Sequence, residues 1–193
     1  MEIYQIQIAL ARYRPKIWRR LLIRSDLLLS DFHRAIQIAM GWENSHLHQF
    51  IKNKKYYSER LDEDWGWNDA TNVDYEGMII SDLLGKEKEK IEYEYDFGDG
   101  WKHDVTLEKI LPADDTMKYP VCTDGRLACP PEDCGGIWGY ASMLEILKDP
   151  GHEQYEETLE WMGETFNPEF FDIEAVNKLL KKYIKYRKSS AKP

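Results

Sequence analysis

No run in this 193-residue chain approaches the ~18–20 consecutive apolar residues of a membrane-crossing helix, so no such helix is expected. Cysteine is scarce: three residues, an odd number, fit a reducing cytosol better than a disulfide framework, and the cytoplasm is the expected location. The opening stretch MEIYQIQIALARYRPKIW alternates like a strand and has no apolar signal-peptide core. There is no nucleophile elbow, no phosphate-binding loop and no dinucleotide fingerprint. The triplet Asp96-Phe97-Gly98 lacks every other kinase element: the glycine-rich loop, the lysine-bearing strand and the catalytic loop. Internal repeats and low-complexity segments are absent too. No catalytic set is recognisable, which favours a non-enzymatic reading.

Acid is missing from two places. Residues 3–25 carry Arg12, Arg14, Lys16, Arg19, Arg20 and Arg24 with no carboxylate, and residues 178–193 carry seven basic groups, again with none. With those thirteen cations and Glu2 set aside, residues 26–177 hold 13 basic groups against 34 acids, a net −21 within the whole chain's −9. Phosphate binding over a broad face needs a positive field, so nucleic acid is not a favoured partner. Arg12, Arg14, Arg19 and Arg20 form a local candidate anion site; otherwise they pair with the acidic middle.

What is present is a core. Apolar residues make up 42% and aromatics 13% of the chain, a globular composition. One domain over residues 1–187 is expected, with a basic tail at 188–193. Its organising element is a β-hairpin at 91–108. Ile91, Tyr93, Tyr95 and Phe97 alternate with Glu92, Glu94 and Asp96, and after Gly98-Asp99-Gly100 the row resumes at Trp101, His103, Val105 and Leu107. A three-residue loop pairing Phe97 with Trp101 and Tyr95 with His103 would put both apolar rows on one face.

Before the hairpin, residues 3–10 and 17–24 read as strands around a turn at Arg14-Pro15. Ser30 is expected to cap a helix with the stripe Phe32, Ile36, Ala39 and Met40, closed by Gly41. Leu47–Asn53 reads as a third strand, residues 59–77 as a long acidic and aromatic loop, and 81–85 as one helical turn. After the hairpin, 112–137 reads as irregular, followed by three helices near 138–148, 152–163 and from Asp172 onward. The fold class is α+β: one mixed β-sheet, a β-grasp-like strand-strand-helix-strand start, a central hairpin and three C-terminal helices. One strand of the hairpin is expected at an extra edge.

Several residues could carry chemistry. His46 and His48 stand two apart on a strand, a spacing used by metal ligands; the alternative is two hydrogen-bonded surface imidazoles. Asp96, Asp99 and His103 cluster at the hairpin turn, with His103 read as a core histidine. Cys122, Cys129 and Cys134, with His103, could complete a Cys₃His zinc site; otherwise they are free thiols in a proline-pinned loop. His152 and Glu156 lie one helical turn apart, where acids also suit the helix dipole. Glu132 and Asp133, in Pro130-Pro131-Glu132-Asp133-Cys134-Gly135-Gly136, could clasp Arg19 or Arg20.

Pro15–Arg20 (PKIWRR), Leu47–Phe50 within GWENSHLHQF, YDFGDGWKH at 95–103, CPPEDCGG at 129–136 and Gly139-Tyr140 together resemble the plasmid pRiA4b ORF-three-like family, also known as TnpR-like transposon passengers. Asp149-Pro150, His152, Asn167-Pro168 and Val176-Asn177 extend the likeness over nearly the whole chain. The resemblance implies a single α+β domain linked with plasmids and mobile elements, and no established activity. The TnpR label suggests a resolvase, but the chain has no serine-recombinase pattern. The leading expectation is a cytoplasmic binding or interaction domain for a protein or small-molecule partner. Its ligand surface would combine the 59–77 loop, His46, His48 and the hairpin turn, with Asp96, Asp99, His103, Glu132 and Asp133 as candidate ligand-binding residues. Competing with it are a metal-dependent hydrolase or nuclease-like enzyme drawing ligands from His46, His48, Asp96, Asp99, His103 and Glu132, and nucleic-acid binding through the basic strip.

Overall fold

Period-two alternation builds the centre of the molecule. In β1 (Glu2–Leu10), Tyr4, Ile6, Ile8 and Leu10 all point to one buried face. In β2 (Trp18–Arg24), Leu21 and Ile23 are buried, Ile17 continues their row just before the strand, and the intervening Arg19 is buried with them. The computed structural model describes residues 1–60, 70–114, 116–163 and 166–183. The other elements are α1 (Leu29–Met40), β3 (His48–Lys52), β4 (Lys55–Ser58), β5 (Asn72–Asp74), α2 (Ile80–Leu83), β6 (Lys90–Tyr95), β7 (Trp101–Pro112), β8 (Val121–Arg126), α3 (Gly136–Ile146), α4 (Tyr155–Met162) and α5 (Ile173–Tyr183).

The strands form one open sheet in the order β5-β4-β3-β6-β7-β1-β2-β8. Every pairing is antiparallel except β4 with β5, so the sheet is mixed and the fold is α+β. The start is strand-strand-helix-strand, yet neither hairpin strand takes an edge. β6 lies between β3 and β7, and β7 lies against β1, so the hairpin fills the middle of the sheet. The expected edge placement is corrected by this order.

One face of the sheet is apolar and covered; the other is a lattice of polar pairs. On the open face a register shift in the β1–β7 pairing gives Glu108 no opposite residue, and its carboxylate accepts from Gln5, Gln7 and Arg20. Nearby, Lys102 sits between Glu92 and Glu94. The buried face packs against Phe32, Ile36 and Ala39 of α1 and Leu180 of α5. Helix α1 begins one residue before Ser30, without a side-chain cap, and ends at Gly41 in the left-handed conformation with φ 95°. At α5, Asp172 caps as expected: its Oδ1 accepts from the Ala175 N–H at 2.9 Å.

Three segments differ from the pattern reading, one being the 59–77 stretch read as a loop, in which Asn72–Asp74 form β5 parallel to β4. The register pairs Tyr95 with Trp101, Tyr93 with His103 and Ile91 with Val105, a shift of two residues that leaves Phe97 exposed in a five-residue loop. The stretch 112–137 contains β8, paired with β2. Of the acidic loop at 59–77, residues 61–69 lie outside the described residues, and so does the tail at 188–193. Among the described residues no helix is long and apolar enough to cross a membrane.

Candidate functional site

Three loops meet at one end of the central strands. The first, residues 41–47, joins α1 to β3; the second is the hairpin turn 96–100; the third is the loop 127–135. Trp42 holds the first to the third, donating from Nε1 to the Pro130 carbonyl at 2.9 Å while stacking on Tyr95 with ring centres 5.0 Å apart. The Glu43 N–H donates to Glu132 Oε2 at 3.1 Å, and the Tyr95 hydroxyl donates to Glu132 Oε1. In turn, that hydroxyl oxygen accepts from the Ser45 N–H at 2.9 Å. The second loop is tied to the third by Asp99 Oδ2, which accepts from the Gly135 N–H at 3.2 Å. Burial and the Glu132 carboxylate push the Tyr95 hydroxyl pKa well up, so it stays a donor.

Beside these loops lies a cleft of about 890 Å³ between α1, β3 and the hairpin turn. It is lined by His33 and Arg34 from α1, by Asn44, His46 and His48, by Glu59 and Asn72 from the 59–77 stretch, and by Phe97 at the turn. His33 and His48 stack face to face, 3.4 Å between ring centres and 3° from parallel. Each is locked into one neutral tautomer by its partners. Asn44 Oδ1 at 2.5 Å accepts from His33 Nε2, so Nδ1 accepts the Tyr93 hydroxyl at 2.8 Å, and Gln37 Nε2 donates to the same hydroxyl at 2.9 Å. His48 Nε2 donates to the Tyr75 oxygen at 2.7 Å, and Tyr75 donates to Glu59 Oε1 at 3.1 Å.

Desolvation lowers the His33 pKa to about 4 and the His48 pKa to about 3, with the neighbouring imidazole adding to the depression at His48. Both rings are neutral at pH 7. The Tyr75 hydroxyl is driven far up by burial and then by Glu59, and keeps its proton.

The residues singled out from sequence divide clearly. His46 lies between two carboxylates, with Nδ1 3.8 Å from Asp96 Oδ2 and Nε2 3.3 Å from Asp133 Oδ1. His48 turns instead to His33, so the two histidines share no partner. Asp99 makes the loop contact above, and the Asp96 carboxylate accepts from the Gly98 N–H at 2.9 Å inside its own turn.

His103 is fully buried; burial lowers its pKa to about 4, its Nδ1 donates to the Trp101 carbonyl at 3.1 Å, and Trp42 stands edge-on to its ring. Arg12 and Arg14 are exposed. Arg19 is buried and Arg20 is held by Glu108 and Asp124, so neither meets Glu132 or Asp133. All three cysteines are free thiols, and burial raises the pKa of each. They do not converge with a histidine into a ligand set among the described residues.

Glu59 and Tyr75 belong to the 59–77 stretch expected in the ligand surface, whereas His33 and Tyr93 are not among the expected site residues. His33 carries a signal: His33 and Gln37, one helical turn apart, edge the apolar stripe of α1 with polar groups.

Comparison with known proteins matches a model described as "Plasmid pRiA4b ORF-3-like protein" over residues 2–175. The uncharacterized protein y4hQ of Sinorhizobium fredii is 37% identical over 163 residues, spanning 83% of this chain and 81% of that one. The crystal structure of a protein of unknown function, MM3350 from Methanosarcina mazei Go1, superposes with a TM-score of 0.81 at 38% identity, covering 90% of this chain and 96% of that one.

Proposed function

The chain belongs to the plasmid pRiA4b ORF-3-like family, and from that premise we propose that it is a cytoplasmic binding domain whose ligand enters the cleft beside His33 and His48. The stacked, neutral imidazole pair in the cleft wall carries this reading. An apolar pair would fill the same space without any hydrogen bonds to satisfy. Here, by contrast, two rings, two tyrosine hydroxyls, two amides and a carboxylate are fixed in one tautomeric pattern next to an open volume. Neutral rings beside Arg34, Glu59 and Asn44 suit a small polar ligand recognised by hydrogen bonds, with the exposed Phe97 and Leu47 offering apolar contact at the rim.

Binding of small polar fragments, followed through the side-chain nitrogen resonances of the histidines, tests this. Hits that shift His33 and His48 together, and that weaken at least about tenfold in His48→Ala, support the reading. Hits that map elsewhere, or bind His48→Ala equally well, oppose it. The nucleic-acid alternative draws little support, because Arg19 and Arg20 are already committed within the fold.

A further inference from the structure

His46, Asp96 and Asp133 belong to three segments that are far apart in sequence, yet one donor atom from each lies within 4.8 Å of the other two. From this geometry we propose that these side chains form a binding site for a divalent first-row transition cation. The class of ion follows from the donors. One imidazole nitrogen and two carboxylate oxygens suit Mn²⁺, Fe²⁺ or Zn²⁺, whereas Ca²⁺ and Mg²⁺ prefer all-oxygen shells and soft ions prefer thiolates.

Two independent observations point the same way. His46 Nε2 is shielded from solvent and has no hydrogen-bond partner. Asp133 Oδ1 is only 3.3 Å from it, but the two are not aligned for a hydrogen bond. A buried nitrogen left unsatisfied costs about 1–3 kcal/mol, and a nearby carboxylate oxygen that is not aligned to accept from it leaves room for an ion between the two. Metal–donor bonds of ~2.0–2.2 Å set neighbouring donors roughly 3 Å or a little more apart. The His46 Nε2–Asp133 Oδ1 contact already has that spacing; Asp96 faces the ring's other nitrogen at 3.8 Å, so side-chain rotation must bring one donor of each residue, all within 4.8 Å of one another, onto one ion.

The second observation is charge. Two carboxylates face an imidazole, and among the described residues neither is paired with a lysine or an arginine. A divalent cation would balance them. The frame is set beforehand by Trp42 on Pro130 and by Asp99 on Gly135, which hold the three loops together without using any of the proposed ligands. His46 also lines the cleft, so an ion here would leave its remaining positions to water or to a bound ligand.

The test uses untagged full-length chain stripped with chelator and titrated with MnCl₂, free Mn²⁺ being read by electron paramagnetic resonance. One ion per chain is expected, with affinity at least about tenfold weaker in both His46→Gln and Asp133→Asn. Asp133 is exposed and makes no structural hydrogen bond in the described residues, so its variant folds normally even if that of Asp96, which also caps the turn, does not. Co²⁺ then reports the donors: weak ligand-field bands alone support nitrogen and oxygen ligands. No saturable Mn²⁺ binding, unchanged affinity in both variants, or a thiolate charge-transfer band from Cys129 or Cys134 would each overturn the proposal. It stands apart from the ligand reading above, since a chain that takes up Mn²⁺ and no fragment keeps this site and loses that one.

Discussion

Arg19 sits on the core face of β2 with its guanidinium out of water, and three carbonyls hold it there. Nε donates to Ala39 at 2.7 Å, and Nη1 donates to Trp18 at 2.8 Å and Arg126 at 3.0 Å, while the Phe171 ring covers the group 3.9 Å away. The Ala39 carbonyl belongs to the last turn of α1, which has no basic residue of its own, so Arg19 supplies the positive charge that the helix C-terminus favours. The sequence around β2 puts apolar groups on both faces, Trp18 and Leu22 on one and Ile17, Leu21 and Ile23 on the other, so alternation alone does not show that Arg19 lies in the buried row. His33 and His103 are the matching case among weak bases. Both rings are held near pKa 4 by burial against about 6.5 unfolded, so the unfolded chain takes up more protons as pH falls. The stability they contribute is therefore complete above pH 6.5 and is lost on the way down to 4. Urea unfolding at pH 7.5, 6.5, 5.5 and 5 should show it falling across the lower three points, by up to about 1.4 kcal/mol per pH unit for each ring. Flat stability from 6.5 to 5, or ring titrations near 6.5 by nuclear magnetic resonance, would contradict the burial account.

Between elements, alternation fixed faces but not ends. A two-residue slip of the hairpin leaves every apolar side chain on the same face, so period alone could not choose between a three- and a five-residue loop. Asp96 chooses: it adopts a left-handed φ of 56°, its carbonyl accepts from the Gly100 N–H at 2.6 Å and its carboxylate accepts from Gly98, which ends pairing at Tyr95. Strand β8 escaped for a different reason. Its sequence, VCTDGR, has no apolar alternation, because it is an edge strand held by its neighbours. The site was legible in its residue types and illegible in its partners, since His46, Asp96 and Asp133 meet only through loop-to-loop contacts. The tightest of these contacts is at Gly136. Its φ is 68°, and a Cβ there would lie 2.4 Å from the Asp99 carbonyl oxygen. Gly77, with φ 76° and open space around it, shares the conformation without the contact. Gly77→Ala should cost about 1 kcal/mol from backbone strain alone. Gly136→Ala should cost at least about 2 kcal/mol more in urea unfolding, because the loop must leave the turn. Equal costs for the two variants would mean the loop and turn are not locked together.

At the scale of the whole molecule, an open eight-stranded sheet has two edges, and each is a template for a second copy unless something blunts it. β5 is blunted by length: three residues ending in Asp74. β8 is six residues long, and α5 covers it through Asn177. The Cys122 N–H donates to Asn177 Oδ1 at 2.7 Å, and Asn177 Nδ2 donates back to the Cys122 carbonyl at 2.8 Å. One amide thus occupies both backbone groups of Cys122, at which an added strand would pair, while Val176 and Leu180 anchor the helix in the core. Asn177→Leu removes both hydrogen bonds and frees that edge, with an expected loss of about 1–3 kcal/mol. Association through β8 should then appear in light scattering as concentration is raised, and grow with salt, which screens the repulsion between chains of net charge −9. Lys178→Leu places the same apolar side chain on an exposed position of the same helix and leaves the edge closed. If Asn177→Leu associates and Lys178→Leu behaves as the unaltered chain does, the amide is what keeps the sheet from growing. If both associate alike, surface hydrophobicity is the cause; if neither does, the helix alone covers the edge.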